Sequence, residues 1–143
     1  MMDREVELQE ALQGLPHAEP FRFLEQVLRL DDDSAEGVWT VRGDEDFLRG
    51  HFPGRPLVPG VLITEAAAQL AGIVTHRRSG VPAAVLVISE ARFRRAVTPP
   101  ARIELAVRGE RIMGSIHVFD FTAQVEDVAC AEGQVGLRVD TAT

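Results

Sequence analysis

Between Pro56 and Thr75 the only ionisable side chain is Glu65. A carboxylate in so apolar a segment is costly unless it is paired, hydrogen-bonded or protonated. On an amphipathic surface helix, a glutamate near the start would simply face solvent and favour the helix dipole. Here Leu62, Ala66, Ala67, Ala68 and Leu70 leave no polar face for it, which points to chemistry. Gln69 falls one helical turn on, on the same side, where it can hold the carboxyl group. Upstream, Gly50-His51-Phe52-Pro53-Gly54-Arg55-Pro56 sets a histidine in a loop stiffened by two prolines and relieved by two glycines. A lone histidine is often a surface or packing residue, but a neutral imidazole near pH 7 can also accept a proton. The Pro59-Gly60-Val61 step adds unpaired backbone N–H groups at a helix start, able to polarise a carbonyl. A base, an acid and an oxyanion donor are what β-elimination next to a carbonyl requires.

The elements that position these groups follow from spacing and punctuation. A short helix is expected over Asp3 to Leu12, then a loop marked by Gly14, Pro16 and Pro20. Phe21 to Leu30 and Glu36 to Arg42 read as strands around the turn residues Asp31, Asp32, Asp33 and Ser34. One long helix should begin at Pro59 and Gly60, run to about Arg78, and stop at Ser79, Gly80 and Pro82. Strand alternation follows in Val85 to Ser89, Arg92 to Val97, Arg102 to Arg108, Ser115 to Val125 and Val128 to Val139, separated by loops with Pro99, Pro100, Gly109, Glu126 and Asp127. The small residues Ala66, Ala67, Ala68, Ala71 and Gly72 permit close approach on several sides, so the helix should lie buried in a curved sheet.

Composition narrows the function classes. The 143 residues suit one domain, 1–143, with a single core. A net charge of −7, with arginine the only strongly basic residue, argues against nucleic acid or an anionic membrane as the main partner. The single Cys130 forms no internal disulfide, and the acidic start lacks the pattern of a signal peptide, so a cytoplasmic protein is expected. The apolar stretch Leu57 to Val74 is interrupted by Pro59, Gly60, Glu65 and Gln69 and fits a buried helix better than a membrane span. His17, His76 and His117 show no ligand-like spacing to His51, so no metal is expected.

The stretch from Gly50 to Gln69, with its spacing from His51 to Glu65, closely resembles the signature of the β-hydroxyacyl-acyl carrier protein dehydratases of the FabZ type. Leu15-Pro16-His17 with Pro20-Phe21, and Ala91-Arg92-Phe93-Arg94-Arg95, resemble two further segments of that family. The resemblance implies an α+β hot-dog fold, a curved antiparallel sheet wrapped around one long central helix, and a homodimer or trimer of dimers. It implies that His51 of one subunit meets Glu65 of its neighbour, takes a proton from C2 of a (3R)-3-hydroxyacyl thioester on acyl carrier protein, and leaves a trans-2-enoyl product as Glu65 protonates the departing hydroxyl. Backbone N–H at Gly60 or Val61 would bind the thioester oxygen, Gln69 would support the site, and no cofactor is implied. Glutamate at position 65 favours this group over the related dehydratase that also isomerises the double bond and usually has aspartate there. The chain departs from the family's usual pattern at Ala18, Glu19, Glu25, Gln26 and Pro100, and it has no tyrosine. These departures bear on gating, chain-length preference and carrier docking.

Two other functions use the same features. A hot-dog thioesterase would direct water at the thioester carbonyl, and a non-catalytic partner subunit would only bind the acyl group. Acyl carrier proteins are acidic, so docking needs a local basic surface. From His76 to Arg111 there are eight arginines against three glutamates, a local balance of +5 in a chain of −7. Arg77, Arg78, Arg94 and Arg95 are the docking candidates within that stretch.

Overall fold

The computed structural model describes residues 3–81 and 85–139. Helix α1 spans Arg4–Gln13, strand β1 Gln26–Leu30 and strand β2 Ser34–Val41; a 3-10 turn, Asp46–Gly50, leads towards helix α2, Gly60–Ser79. Strands β3 (Val85–Phe93), β4 (Ala101–Met113), β5 (Ile116–Val125) and β6 (Val128–Arg138) follow. Among the described residues the six strands form one sheet, ordered β1-β2-β4-β5-β6-β3, with every pairing antiparallel. The β5–β6 hairpin closes through Glu126 and Asp127, both at positive φ, the two-residue turn whose twist suits adjoining strands.

Helix α2 is about 30 Å long by its residue count. It packs against β2, β3, β4, β5 and β6, so the sheet curls around it. The fit depends on small side chains: Ala66, Ala67 and Ala71 are fully buried, and Leu70 and Val74 fill the space between helix and sheet. This is the hot-dog arrangement. The helix ends at Gly80, whose N–H bonds the carbonyl of His76. The expectation that Pro82 helps to stop it falls outside the described residues.

Several strand boundaries differ from expectation. Val85 to Ser89 and Arg92 to Val97 are not two strands; Glu90 and Ala91 pair without a break with Gln134 and Gly133, giving the single β3. This strand lies at the sheet edge and exposes most of its residues on both faces, so it carries no in-and-out alternation to read. Beyond Phe93 the chain leaves the sheet, and Val97 offers its carbonyl to Val58 N–H at 2.8 Å. Gly109 is not a loop residue but lies within β4. A Cβ there would stand 2.3 Å from Asp33 Oδ1 and 2.6 Å from Arg78 Nη2, so glycine makes room for that ion pair. Ser34 opens β2 rather than ending the turn. Phe21 to Glu25 lie outside β1; there Phe23 N–H donates to the Gln69 side chain and the Phe21 carbonyl accepts from it.

Candidate active site

Glu65 stands in the second turn of α2 and Gln69 one turn on. The Gln69 side chain is almost wholly buried, so its amide must find partners inside. Its Oε1 accepts Phe23 N–H at 3.1 Å, and its Nε2 donates to the Phe21 carbonyl at 2.8 Å. The same Nε2 lies 3.4 Å from Glu65 Oε1. Gln69 thus lies within reach of the carboxyl group, but its two shorter bonds hold the loop between α1 and β1.

That loop brings in His17, which the sequence placed in a family-like segment and gave no role at the site. His17 Nε2 lies 3.5 Å from Glu65 Oε1. The two residues and Gln69 line one cavity of about 310 Å³, with apolar walls from Leu15, Ala68, Leu86 and Leu137. The contact joins positions 48 apart, and no periodicity in the chain reports such a pairing. A row of rings braces the loop: His17 stacks on Phe21, and Phe21, Phe23 and Trp39 follow with centroids 4.9 and 5.1 Å apart.

His51 caps the 3-10 turn, its N–H bonded to Leu48 O at 3.1 Å. Its Nδ1 lies 2.8 Å from the carbonyl of Leu57, and its own carbonyl accepts Leu57 N–H at 2.8 Å. A carbonyl only accepts, so neutral His51 carries its proton on Nδ1 and leaves Nε2 bare. That is the tautomer a base needs. The half-buried ring stacks on Phe52 with centroids 4.5 Å apart, and the His51–Phe52 peptide is cis. His51 does not line the Glu65 cavity, and among the described residues no hydrogen bond or ion pair joins the two within the chain.

The start of α2 has no side-chain cap, so the first N–H groups, at Gly60 and Val61, keep their donor capacity. Val61 is 73% exposed. A Cβ on Gly60 would stand 2.8 Å from the Phe93 ring, so only glycine lets that ring close over the helix start. Among the described residues, no three His, Cys, Asp or Glu side chains converge to hold a metal ion.

The four arginines considered for docking fall into two groups. Arg77 pairs with Asp32 at 2.9 Å. Arg78 pairs with Asp33 at 2.8 Å, bonds His117 Nδ1 at 3.0 Å and lies over the Phe119 ring. Both close the C-terminal end of α2. Arg94 and Arg95 follow Phe93, beside the N-terminal end, about a helix length of 30 Å away. Arg94 is ion-paired with Glu132, while the exposed Arg95 side chain has no ion-pair partner among the described residues.

Residues 15–134 match the family described as FabA-like domain. The chain belongs to this family. Among its relatives, the 3-hydroxyacyl-[acyl-carrier-protein] dehydratase FabZ of Agrobacterium fabrum is 40% identical over 134 residues, covering 91% of this chain and 87% of that one. The protein of the same name from Sinorhizobium fredii is 37% identical over 137 residues, covering 93% and 89%. In structure, the FabA-like chain resembles a member of the dehydratase heterocomplex ApeI:P from Xenorhabdus doucetiae, with a TM-score of 0.77 at 19% identity over 92% of this chain and 91% of that one. At that identity the likeness speaks for the fold.

Proposed function

We propose that the protein dehydrates (3R)-3-hydroxyacyl thioesters carried on acyl carrier protein to trans-2-enoyl thioesters, in fatty-acid or related acyl-chain synthesis. The observation that carries this reading is Glu65, a lone carboxyl group held by Gln69 at the wall of an otherwise largely apolar cavity, in a chain that belongs to the FabA-like family. The apolar walls suit an acyl chain. His51, with Nε2 bare, takes the C2 proton. Glu65 protonates the leaving hydroxyl, the C3–O bond breaks, the C2–C3 double bond forms, and water departs. Backbone N–H at Gly60 or Val61 takes the thioester oxygen as charge builds on it.

The site is assembled from two chains, His51 of one protomer reaching Glu65 of the next. Supporting this, among the described residues no hydrogen bond or ion pair joins His51 to Glu65 within one chain and His51 does not line the Glu65 cavity, and β3 presents an unpaired edge on which Val85, Leu86, Val87 and Phe93 are 38–51% exposed. An open apolar edge strand calls for a partner. A homodimer, or a trimer of dimers built from it, covers that edge. Arg95, with Arg94, docks the acidic carrier beside the helix start. Among the described residues no helix is long and apolar enough to cross a membrane, and we place the enzyme in the cytoplasm.

Product analysis tests the reading. A 3-hydroxyacyl carrier substrate is expected to lose one water and keep its thioester. Release of free carrier thiol would instead make the protein a thioesterase, and binding without turnover would make it an acyl-binding subunit.

A further inference from the structure

The loop between α1 and β1 places a third side chain at the site, one to which the dehydration scheme gives no task. His17 Nε2 lies 3.5 Å from Glu65 Oε1, and His17 Nδ1 is buried without a hydrogen-bond partner. The imidazole is aimed by its surroundings. It stacks on Phe21 with centroids 6.2 Å apart, while Arg22 clamps the carbonyls of His17 and Leu15, each at 3.1 Å. Gln69 fixes the far side of the same loop.

We propose that His17 is a positioning residue for the acid of the dehydration: its Nε2–H donates to Glu65 Oε1 and, with Gln69, decides which carboxyl oxygen carries the transferred proton. The inference rests on the dehydratase reading and deepens it. Gln69 Oε1 is committed to Phe23 N–H, so its amide orientation is set and its Nε2 is a donor towards Glu65. Glu65 Oε1 is therefore an acceptor, and a proton on this carboxyl group sits on Oε2. If His17 carried its proton on Nδ1, that N–H would be buried without an acceptor while the Nε2 lone pair faced an accepting oxygen. The other tautomer satisfies the contact.

When Oε2 gives its proton to the departing hydroxyl, the negative charge left on the carboxylate is shared with Oε1. Gln69 Nε2 and His17 Nε2 lie 3.4 and 3.5 Å from that oxygen, and donors set in place before charge develops favour the transition state over the ground state. The 3.5 Å separation is long, as such bonds often are before substrate closes the site. His17 thus acts on turnover through Glu65 and leaves substrate binding nearly untouched.

The test uses the full-length protein and 3-hydroxybutyryl-N-acetylcysteamine thioester. His17→Phe keeps a ring on Phe21 and removes the donor; His17→Gln returns an amide donor of similar reach. His17→Phe is expected to lower kcat about ten- to hundred-fold with KM within about twofold, and His17→Gln to recover most of the loss. In a Glu65→Gln background, His17→Phe should add no further loss, because its effect runs through the carboxyl group. Unchanged kcat in His17→Phe, a His17→Gln variant no better than His17→Phe, or a full extra loss in the Glu65→Gln background would each overturn the proposal. If His17→Phe does not assemble, His17→Ala with added imidazole serves: rescue of kcat supports the assignment, and no rescue overturns it. Full activity in Glu65→Gln alone would sink the acid role of Glu65 and this inference with it. An inactive Glu65→Gln beside a fully active His17→Phe would sink this inference alone.

Discussion

Glu65 and Gln69 stand one helical turn apart, and the Gln69 amide nitrogen that lies 3.4 Å from Glu65 Oε1 also holds the Phe21 carbonyl at 2.8 Å. One buried side chain thus couples the acid to the loop that walls its cavity. Gln69→Leu leaves Phe23 N–H and the Phe21 carbonyl without these partners, at a cost of about 1–3 kcal/mol for the buried Phe23 N–H. The variant is expected to melt at lower temperature and to lose turnover together. Unchanged melting would mean that the loop is held by other contacts.

His51→Ala and Glu65→Gln are each expected to lower turnover by about 10²- to 10⁴-fold, the usual contribution of one proton-transfer group. Circular dichroism and assembly should be unchanged, since neither side chain belongs to the buried core. The double variant should be hardly worse than the poorer single one, because both groups serve one elimination. Near-normal dehydration by either single variant would remove that residue from the mechanism.

Charge reversal at Arg95 is expected to raise KM for a carrier-bound substrate in a salt-sensitive way and to spare turnover of a small thioester. Arg94→Glu should act in the same direction while also breaking the pair with Glu132. Arg77 and Arg78 are committed to Asp32 and Asp33 at the other end of α2, so their reversal should lower the melting temperature more than it affects carrier affinity. Equal losses on both substrates for Arg95→Glu would place that residue in the fold or the site instead.

His117 provides a pH test of the structure itself. Burial, and then the Arg78 guanidinium beside it, hold its pKa below the ordinary value. Its Nδ1 accepts from Arg78 at 3.0 Å, and Arg78 is in turn paired with Asp33, so protonation would set two cations together. The unfolded chain then binds the proton more readily than the folded one. Stability is lost as pH falls through the ordinary imidazole value of about 6.5, and the loss levels off below the depressed folded value. Between about pH 7.5 and about pH 5.5, the melting temperature of the wild type should fall more than that of His117→Gln. Parallel curves would assign the fall to other groups.

The helix was the most legible part of the fold, because Pro59 and Gly60 start it, Gly80 ends it, and its small residues admit a sheet on several sides. Strand β4 was legible where Ile103, Leu105 and Val107 point inward together, but its continuation through Gly109 comes from pairing with β5 at Phe119, which no local pattern records. Strand β3 hid its continuity because an edge exposed on both faces needs no alternation. At the site, Glu65 stood out as the only charge in an apolar run. His17 did not, because its meaning comes from a contact 48 positions away, made by a loop that Gln69 and Arg22 fold into place.

The most direct test of the central claim, that His51 of one protomer and Glu65 of another form one dehydration centre, is to mix His51→Ala and Glu65→Gln protomers and measure enoyl thioester formation. Each protein alone should be nearly inactive. In a twofold-symmetric mixed dimer one site receives both intact residues and the other receives neither, so free exchange of equal amounts should restore about a quarter of the wild-type sites. Enoyl product near that level is the expected result; no recovery, with subunit exchange demonstrated by mass, would contradict the shared site.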